Sequence, residues 1–342
     1  MSIVEIAKQA GVSTATVSRV INRHANVSPE NVAKVEQAME EIGYKAAPKV
    51  AVGRRSEMDC VAVLVVASHM FDRYSSVAYD AVRSAVEALN ERQLGAALSY
   101  VTDAEQVPDF VFRNRVRGAL VIGKNPKPEL EDRLKALPVV WLASHHSSQG
   151  DVVLSGNDAV GELAAEYLIN RGHKCVGTLN VLADVASEAR LRYFRFIAQE
   201  AGLTVKQYIK EKASSKVWEH DIDMAWFDAE VEKQIDRLMV EQERPTGLFV
   251  TSDFQAAVVH RALLKRGVKL GEEMEIIGSD TEKAALLGLN PRPATIDLGY
   301  KSIGRMAVEH LLSLISKGDR EPVKIMLSPK LVLGDPVRED WS

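Results

Sequence analysis

The residues near the start of the chain with the clearest chemistry form a polar face on a predicted helix, Thr14 to about Asn22. Val17, Val20 and Ile21 fall on one side of this helix by their spacing. The other side carries small, mostly polar side chains and one arginine: Thr14, Ala15, Ser18 and Arg19. Such groups fit base edges and phosphates in a DNA major groove. Spacing alone leaves a plain three-helix bundle with a solvated face as an equal alternative.

A second set of candidate residues follows predicted strands or opens helices further along the chain. These residues are Ser68, His69, Phe71, Tyr74, Asn157, Asp158, Asp253 and Asp280. A carboxylate can accept two sugar hydroxyls, and an aromatic ring can cover the apolar face of a sugar. For any single residue, helix capping or ion pairing is the alternative, and for Asp158 we favour the cap. The set therefore predicts a ligand site.

Composition and charge exclude several classes of protein. The chain has 342 residues, 46% hydrophobic and 26% charged, which is typical of a globular protein of two or three domains. It has no uninterrupted apolar run of membrane-spanning length and no secretory signal near Met1, so we expect a cytoplasmic protein without membrane association. Cys60 and Cys175 lack metal or redox spacing. We therefore expect no metal and no cofactor.

The charge is unevenly distributed along the chain. Residues 1–58 carry eight Lys or Arg and six Asp or Glu, a net charge of +2, whereas the whole chain carries −4. The rest of the chain is therefore acidic, at −6. Lys45, Lys49, Arg54 and Arg55 form a basic run without an intervening acid. This distribution is compatible with a phosphate-binding head attached to a sensor, and also with chance.

Three short helices position the polar face in the head. Ser2 and Gly11 bound the first, in which Ile3, Ile6, Ala7 and Ala10 are apolar. Ser13 caps the second helix, and Val12 fills the turn between the two. Ser28 and Pro29 begin a third helix, which ends before Gly43. This pattern predicts a helix-turn-helix.

The rest of the chain alternates strands and helices, which predicts a doubly wound α/β fold with ligands at the carboxyl ends of the strands. We expect strands at 61–67, 96–101, 118–122, 139–142, 175–179, 247–250 and 275–277. We expect helices at 76–92, 158–171, 188–201, 254–265 and 303–316. The segment between Val101 and Val116 is short, so we expect one helix there to be reduced to a turn.

The head resembles the DNA-binding segment of the lac repressor (LacI/GalR) family. The resemblance covers Ile6–Asn22, Val27–Glu30 and Ile42–Tyr44. It implies that Thr14, Ala15 and Arg19 face bases. It also implies that Ser13, Thr16, Ser18, Asn22 and the region of Tyr44 lie near phosphates.

The resemblance continues through the body, at Leu168–Lys174, Pro245–Asp253 and Ile277–Asp280. It implies an α/β body of periplasmic-binding-protein type (type I), with two doubly wound parallel-sheet subdomains and a ligand in the cleft. It implies crossovers near residues 154–158, 281–296 and 318–328. Arg190 matches an arginine that the family uses on ligand oxygens, and Trp218 lies roughly where the family often has a stacking aromatic. Ser252, Ser279 and Thr281 depart from the family pattern.

The linker also departs from the family, which has a short leucine-bearing helix that wedges into the minor groove. Pro48 and Gly53 bracket only four residues here, too few for a stable helix. One alternative is that Arg54 and Arg55 lie in a narrow A·T-rich minor groove. A solvated linker that contacts phosphates nonspecifically is the other, and we slightly favour it.

Together these features predict a DNA-binding transcriptional regulator that is not an enzyme. We expect a helix-turn-helix domain at 1–45, a basic linker at 46–58 and an effector-binding and dimerisation domain at 59–342. The partners are double-stranded operator DNA, a second copy in a homodimer and a small-molecule effector. The family favours a repressor and a sugar, with Ser68, Phe71, Tyr74, Asn157, Arg190, Trp218, Asp253 and Asp280 as effector contacts. The alternatives are an activator, a small-molecule binding protein and an α/β enzyme. The sequence has no G-x-G-x-x-G, phosphate loop or nucleophile elbow to support an enzyme.

Overall fold

The computed structural model describes residues 3–21, 27–42, 59–66, 76–101, 106–112, 116–123, 128–142, 150–182, 184–209, 224–318 and 321–341. The chain separates into two compact units, Met1–Ser56 and Glu57–Ser342. No helix among the described residues is long and apolar enough to cross a membrane.

The first unit contains the three expected helices: α1 (Ile3–Ala10), α2 (Thr14–Ile21) and α3 (Pro29–Ile42). Gly11 adopts a φ of +67°, which lets the chain turn out of α1 without a steric penalty. The hydroxyl of Ser13 accepts a hydrogen bond from the amide of Thr16 at 3.1 Å and caps α2. Ser28 caps α3 by accepting from the amide of Asn31 at 3.4 Å. The turn and both caps follow the sequence prediction.

The core of the first unit is small and apolar. It consists of Ile6, Ala7, Ala10, Val17, Val20, Val35 and Ala38. Val12 packs against this cluster from the turn, as expected. Ile3 lies outside this core, because its side chain is 39% exposed at the first position of α1. Since α2 is held by Val17 and Val20, its opposite face is left at the surface.

The second unit is built from two lobes. The elements of its amino-terminal part are β1 (Cys60–Val66), α4 (Ser76–Asn90), β2 (Gly95–Val101), β3 (Ala119–Gly123), α5 (Pro128–Leu134), β4 (Val139–Leu142) and β5 (Asp151–Ser155). The elements that follow are α6 (Asn157–Asn170), β6 (Cys175–Asn180), α7 (Val185–Glu200), β7 (Thr204–Ile209), α8 (Met224–Met239), β8 (Gly247–Val250), α9 (Asp253–Lys265), β9 (Glu275–Ile277), α10 (Lys283–Leu286), β10 (Thr295–Asp297), α11 (Tyr300–Lys317), β11 (Lys324–Leu327) and β12 (Lys330–Val332).

Each lobe contains a parallel sheet with helices on both faces. Among the described residues, the first sheet has the order β11-β5-β4-β3-β1-β2, and every neighbouring pair is parallel. The second has the order β7-β6-β8-β9, also parallel. Helices α4 and α11 cover one face of the first sheet, and α5 packs on the other. This arrangement is the predicted doubly wound fold, and a 3-10 turn at Asp109–Val111 takes the place of the helix expected to be reduced.

The chain crosses between the lobes at three places, two of which differ from the prediction. The first crossover is at residues 155–157, as expected. The second is at 298–300 instead of 281–296, because β10 still pairs with β12 and packs with the second lobe. The third is at 327–330 instead of 318–328, because β11 completes the first sheet before β12 returns. The β10–β12 ribbon therefore shifts both crossovers toward the carboxyl terminus.

Helices α4 and α11 pack in close contact on the first sheet. A Cβ atom at Gly304 would overlap the carbonyl oxygen of Ala81 and the hydroxyl of Ser84. Two ion pairs link α11 to the residues directly after α4, Arg305 to Glu91 at 2.6 Å and Arg92 to Glu309 at 3.2 Å. Gly304 therefore sets the separation of the two helices, because any side chain there would push them apart.

We predict that Gly304→Ala lowers the free energy of unfolding by about 1–3 kcal/mol, as overpacking does in a close-packed core. An unhindered helical glycine would instead gain about 0.5–1 kcal/mol from the same change, so the sign of the effect is informative. Urea unfolding of the full chain measures it. Ser302→Ala, at an exposed position of α11, is the matched control and should change stability by less than about 0.5 kcal/mol. A stabilised Gly304→Ala would contradict the close approach.

Candidate functional site

The polar face predicted for DNA contact lies on the surface of α2. Thr14, Ala15 and Arg19 are exposed, as is Ser13 just before the helix. Thr16 and Ser18 are half-buried. Thr16 is tied to the helix start, because its hydroxyl and that of Ser13 lie 2.9 Å apart in a hydrogen bond. The surface thus presents small polar side chains and one long cation on a rigid helix.

Several predicted site residues lie outside the described part of the chain. For DNA contact these are Asn22, Tyr44, Arg54 and Arg55, and for effector contact they are Ser68, Phe71, Tyr74 and Trp218. The linker, with its two alternatives for Arg54 and Arg55, falls outside it as well. The roles of these residues stay predictions.

In the second lobe, the candidate site lies at the carboxyl ends of adjacent strands. The sheet order places β6 next to β8 with β7 on its other side, so the connections after β6 and β8 leave toward opposite faces. Such a switch point leaves a crevice at the carboxyl ends of parallel strands. Thr251 follows β8, Ser279 and Asp280 follow β9, and Asn157 opens α6 beside them.

Arg190 joins these segments from α7. Its Nε donates to Oδ1 of Asn157 at 2.8 Å. Its Nη1 donates to the carbonyl oxygen of Thr251 at 2.7 Å and lies 2.9 Å from Oγ of Ser279 and 3.0 Å from Oδ1 of Asp280. Arg190 is only 5% exposed. The predicted residues Asn157, Arg190 and Asp280 are therefore brought together by direct hydrogen bonds.

The electrostatics of this cluster depend on the ion pair. Burial acts against the charged guanidinium, but the carboxylate of Asp280 outweighs it and raises the pKa of Arg190. The guanidinium is therefore charged throughout the ordinary pH range. Within the described part of the chain, Nε and Nη1 make all the hydrogen bonds of the guanidinium, and Nη2 makes none. Among the described residues, Nη2 is thus a charged donor without an acceptor, in a site of fixed geometry.

Asp280 is held in an uncommon backbone conformation. Its φ is +102°, and that of the following Thr281 is +56°. Neither residue is a glycine, so these angles store strain that the surroundings must offset. The amide of Asp280 donates to the carbonyl oxygen of Ile296 at 2.9 Å, and the amide of Thr281 donates to Oγ1 of Thr295 at 3.3 Å. The 279–282 loop is therefore anchored on β10.

Asp253, at the start of α9, also anchors the 279–282 loop. Its carboxylate accepts hydrogen bonds from the hydroxyl of Thr295 and from the amide of Glu282, each at 2.8 Å. Its own amide donates to the carbonyl oxygen of Ser279 at 2.8 Å. Asp253 is completely buried, so in this structure its carboxylate faces protein groups and holds the 279–282 loop in place. Its predicted effector contact stays a prediction.

Burial, reinforced by the carboxylate of Asp280, raises the pKa of Asp253 well above its ordinary value, although the hydroxyl of Thr295 acts in the opposite direction. Folding therefore favours the protonated acid. A carboxyl group of this kind stabilises the folded chain at low pH and loses that contribution as the pH rises.

Sequence reasoning missed a buried polar network beside this cluster. Oδ1 of Asn180 accepts hydrogen bonds from Thr251 and Gln255, both at 3.0 Å, and Oε1 of Gln255 accepts from the amide of Val181 at 3.0 Å. These residues fix the ends of β6 and β8 relative to α9. The usable signal for Asn180 was its position directly after the predicted strand 175–179, whereas the sequence around Gln255 offered no signal.

The start of α7 also differs from the prediction. The helix begins at Val185, three residues before the expected Glu188, because Asp184 caps it by accepting from the amide of Ser187 at 2.7 Å. Aspartate is a preferred N-cap residue, so Asp184 itself was a usable capping signal. Asp158, expected as a cap, lies instead in the first turn of α6, where Gly156 is the N-cap.

Two family models match the chain. Residues 2–46 match the model described as bacterial regulatory proteins, lacI family, and residues 165–336 match the periplasmic binding protein-like domain. Among curated relatives, the HTH-type transcriptional repressor PurR of Vibrio cholerae serotype O1 (strain M66-2) is 27% identical over 349 aligned residues, covering 99% of this chain and 98% of the relative. The ribose operon repressor of Escherichia coli (strain K12) is 25% identical, covering 96% of this chain and 97% of the relative.

Solved structures share the fold over the whole chain. A complex of the transcriptional regulator CelR with cellobiose has a TM-score of 0.67 at 23% identity and covers 98% of this chain and 99% of its own. The lac repressor bound to ONPG has a TM-score of 0.66 at 20% identity, with 98% of each chain covered. These matches establish the two-part architecture of a helix-turn-helix head and a type I periplasmic-binding-protein-like body.

We predict that Asp253→Asn gains stability relative to the unchanged chain as the pH rises above about 4, the ordinary pKa of an aspartate. The unfolded chain loses its proton there, whereas the folded chain keeps the proton on Asp253 to higher pH, so the unchanged chain becomes progressively less stable than a variant that never ionises. Guanidinium unfolding of both proteins between pH 4.5 and 8 measures the trend. A difference in stability that does not vary with pH would contradict it.

Proposed function

The chain belongs to the lacI family of bacterial regulatory proteins, and on that basis we propose that it is a transcriptional repressor whose binding to operator DNA is controlled by a small molecule. The observation that carries this proposal is the exposed polar face of α2, which lies within the segment matched by the lacI model. The named relatives are transcriptional repressors, which supports regulation over catalysis. We accordingly propose no enzymatic activity.

In the proposed DNA complex, α2 enters the major groove. Thr14, Ala15 and Arg19 would contact base edges, because they are the exposed side chains of the helix. The phosphate contacts would come from Ser13, Thr16, Ser18, Asn22 and Tyr44, and the linker arginines Arg54 and Arg55 would add charge. The amino end of α2 favours an anion there through its free amide groups. We propose functional bounds of 1–45 for the head, 46–58 for the linker and 59–342 for the effector-binding and dimerisation domain.

We propose that the effector binds at Arg190 and Asp280, with Asn157, Ser68, Phe71, Tyr74, Trp218 and Asp253 as further members of the site. Nη2 of Arg190 can donate to a ligand oxygen, and the half-buried Asp280 can accept from a hydroxyl. The charged donor of Arg190 and the charged acceptor of Asp280 lie side by side. Such a pair can bind two neighbouring hydroxyls of a neutral sugar, one as acceptor and one as donor. A relative that regulates a ribose operon and the cellobiose complex of a regulator with this fold favour the same class.

We propose that the protein acts as a homodimer. A single helix-turn-helix contacts only a few base pairs, so two heads on a palindromic site are needed for useful affinity. An effector that binds one relative orientation of the lobes more tightly than another would shift the population of DNA-binding dimers.

We predict that Arg19→Ala weakens binding to the DNA upstream of the protein's own gene by roughly tenfold or more, since one base contact by arginine contributes about 1–3 kcal/mol. Arg19 is exposed, so the thermal unfolding midpoint should stay unchanged. Fluorescence anisotropy of labelled DNA at fixed salt measures the affinity.

The matched control is Lys34→Ala, which also removes one exposed cation from the head but lies on α3, where it pairs with Glu30 at 2.8 Å. It should change the affinity by less than about twofold. Equal losses for the two variants would indicate nonspecific charge attraction. If the unchanged chain showed no specific binding at any salt concentration, the proposed function would be wrong.

We predict that at least one sugar in a metabolite panel raises the thermal unfolding midpoint, because a ligand at a hundred times its Kd stabilises the folded state by about 2.7 kcal/mol. Arg190→Lys should abolish that rise, since an ammonium cannot replace the fork that joins Asn157, Thr251 and Asp280. Arg195→Lys, on the same helix, is the control and should retain it. An equal rise in all three proteins would place the sugar elsewhere.

A further inference from the structure

The carboxyl-terminal residues cross the second lobe after β12 without regular secondary structure. We call residues 334–341 the strap. Three of its backbone amides donate to carbonyl oxygens of the lobe at 2.9–3.0 Å: Asp335 to Arg292, Arg338 to Gly271 and Trp341 to Arg171. A Cβ atom at Gly334 would overlap the carbonyl oxygen of Arg292, so the strap lies directly against that backbone. These contacts hold a chain end of a kind that is ordinarily poorly ordered.

Trp341 anchors the end of the strap. Its side chain is buried and stacks on the imidazole ring of His173, with ring centroids 4.7 Å apart. The guanidinium of Arg338 lies 5.5 Å from the centroid of the Trp341 ring. The indole Nε1 has no hydrogen-bond partner among the described residues, so the side chain is held by packing of its ring. His173 lies two residues before β6, which places the anchor at the amino ends of the strands, the opposite edge of the sheet from the Arg190 cluster.

A buried carboxylate lies beside this anchor. Glu275, the first residue of β9, accepts hydrogen bonds from the hydroxyl of Tyr167 and from Nε of Arg171, both at 2.6 Å. Nε2 of His173 lies 3.2 Å from the same carboxylate. Burial acts to raise the pKa of Glu275, but hydrogen bonds from these three neighbours outweigh it and lower that pKa. Arg171 also donates through Nη2 to the carbonyl oxygen of Arg338. Arg171 and His173 therefore contact both the strap and the start of β9.

Two segments run from the strap to the Arg190 cluster. The first is β9, which begins at Glu275 and leads to Asp280. The second begins at Arg292, whose amide donates to Oδ2 of Asp335 at 2.8 Å and whose guanidinium pairs with the same carboxylate at 3.3 Å. This segment leads to Ile296, whose carbonyl oxygen accepts from the amide of Asp280 at 2.9 Å. The strap thus contacts one end of both segments, and the 279–282 loop lies at their other end.

The position of Asp280 needs support from both segments. β9 has only three residues, and it pairs with β8 along one side. On its other side, the amide of Gly278 donates to the carbonyl oxygen of Ala294 in the second segment at 2.8 Å. A residue at a φ of +102° keeps that strained conformation only while its surroundings impose it. Support lost at the strap would therefore let the backbone of Asp280 relax and move its carboxylate away from Arg190.

We propose that the strap positions Asp280, so that release of Trp341 loosens the Arg190 site and lowers its affinity for an effector. Terminal segments of this kind can open locally while the rest of the chain stays folded. Because coupling between two sites is reciprocal, an effector bound at Asp280 would in turn hold the strap closed. The positioning of Asp280 does not depend on the proposed function, whereas the effect on effector affinity rests on it.

Hydrogen exchange of the full chain without effector tests the positioning. Trp341→Ala should make the amides of the strap and of residues 280–282 exchange roughly tenfold faster or more, whereas the amides of α7 should keep their rates. Trp341→Phe should restore slow exchange, because it keeps a ring on His173 and Nε1 has no partner to lose among the described residues. Phe196→Ala is the matched control, since it removes an aromatic ring that is 57% exposed on α7, and it should leave the strap and the loop unchanged.

Gly334→Ala tests the other end of the strap. The added methyl group should displace the strap from Arg292 while Trp341 keeps its ring, and exchange at residues 280–282 should again be faster. This variant decides the question if circular dichroism shows that Trp341→Ala does not fold. The proposal is overturned if residues 280–282 exchange at their original rate when the strap is open, or if the strap stays protected without the Trp341 ring. Equally faster exchange throughout the second lobe would also overturn it, because Trp341 would then contribute to stability alone.

The effect on the Arg190 site is measured by calorimetry, with D-ribose and cellobiose each used as a probe. Trp341→Ala should bind the sugar roughly tenfold more weakly than the unchanged chain, within the usual range of coupling between sites, whereas Trp341→Phe and Phe196→Ala should stay within about twofold. Equal affinity in Trp341→Ala with an open strap would overturn the regulatory part. If neither sugar binds the unchanged chain, the result counts against the proposed function and the regulatory part fails with it. The exchange rates still decide whether the strap positions Asp280.

Discussion

The buried guanidinium of Arg190 is the constraint on which the second lobe depends. Removing a cation from water costs several kcal/mol unless charge and hydrogen bonds compensate. Here the compensation comes from Asp280, with further acceptors on Asn157, Thr251 and Ser279. These acceptors belong to α6 and to the ends of β8 and β9, so one side chain fixes the relative positions of three elements. Asp280 itself has a positive φ, and Asp253 and Thr295 hold the loop that carries it.

Much of this arrangement was accessible from the sequence, for reasons that are local. Val61 to Val66 is an unbroken apolar run, which is typical of a strand covered on both faces. Gly11 favours a turn, and Ser13 and Ser28 favour helix caps, because of their own backbone and side-chain chemistry. The ends of the helices in the head could therefore be predicted closely from the sequence. Asn157, Arg190 and Asp280 could be grouped because they follow strand ends or match a family position, and direct hydrogen bonds now join them.

The parts that escaped prediction depend on contacts between distant segments. β10 and β12 are three residues each, and they pair across more than thirty residues, so neither has a periodic signal of its own. Their pairing places the second and third crossovers between the lobes later in the chain than the sequence predicted. Asp253 closely follows a strand, and its hydrogen bonds to Thr295 and to the amide of Glu282 join segments that its sequence position does not connect. The network of Asn180 and Gln255 is likewise invisible in sequence, because it joins residues 75 positions apart.

We propose that the Arg190 cluster controls DNA binding by the head. The most direct measurement is the affinity of the full chain for its upstream DNA, titrated with the sugar that stabilises the protein. We expect the affinity to change by roughly tenfold or more in the unchanged chain, within the usual range of allosteric coupling, and not to change in Arg190→Lys. A sugar that binds at Arg190 and leaves the DNA affinity unaltered would contradict it.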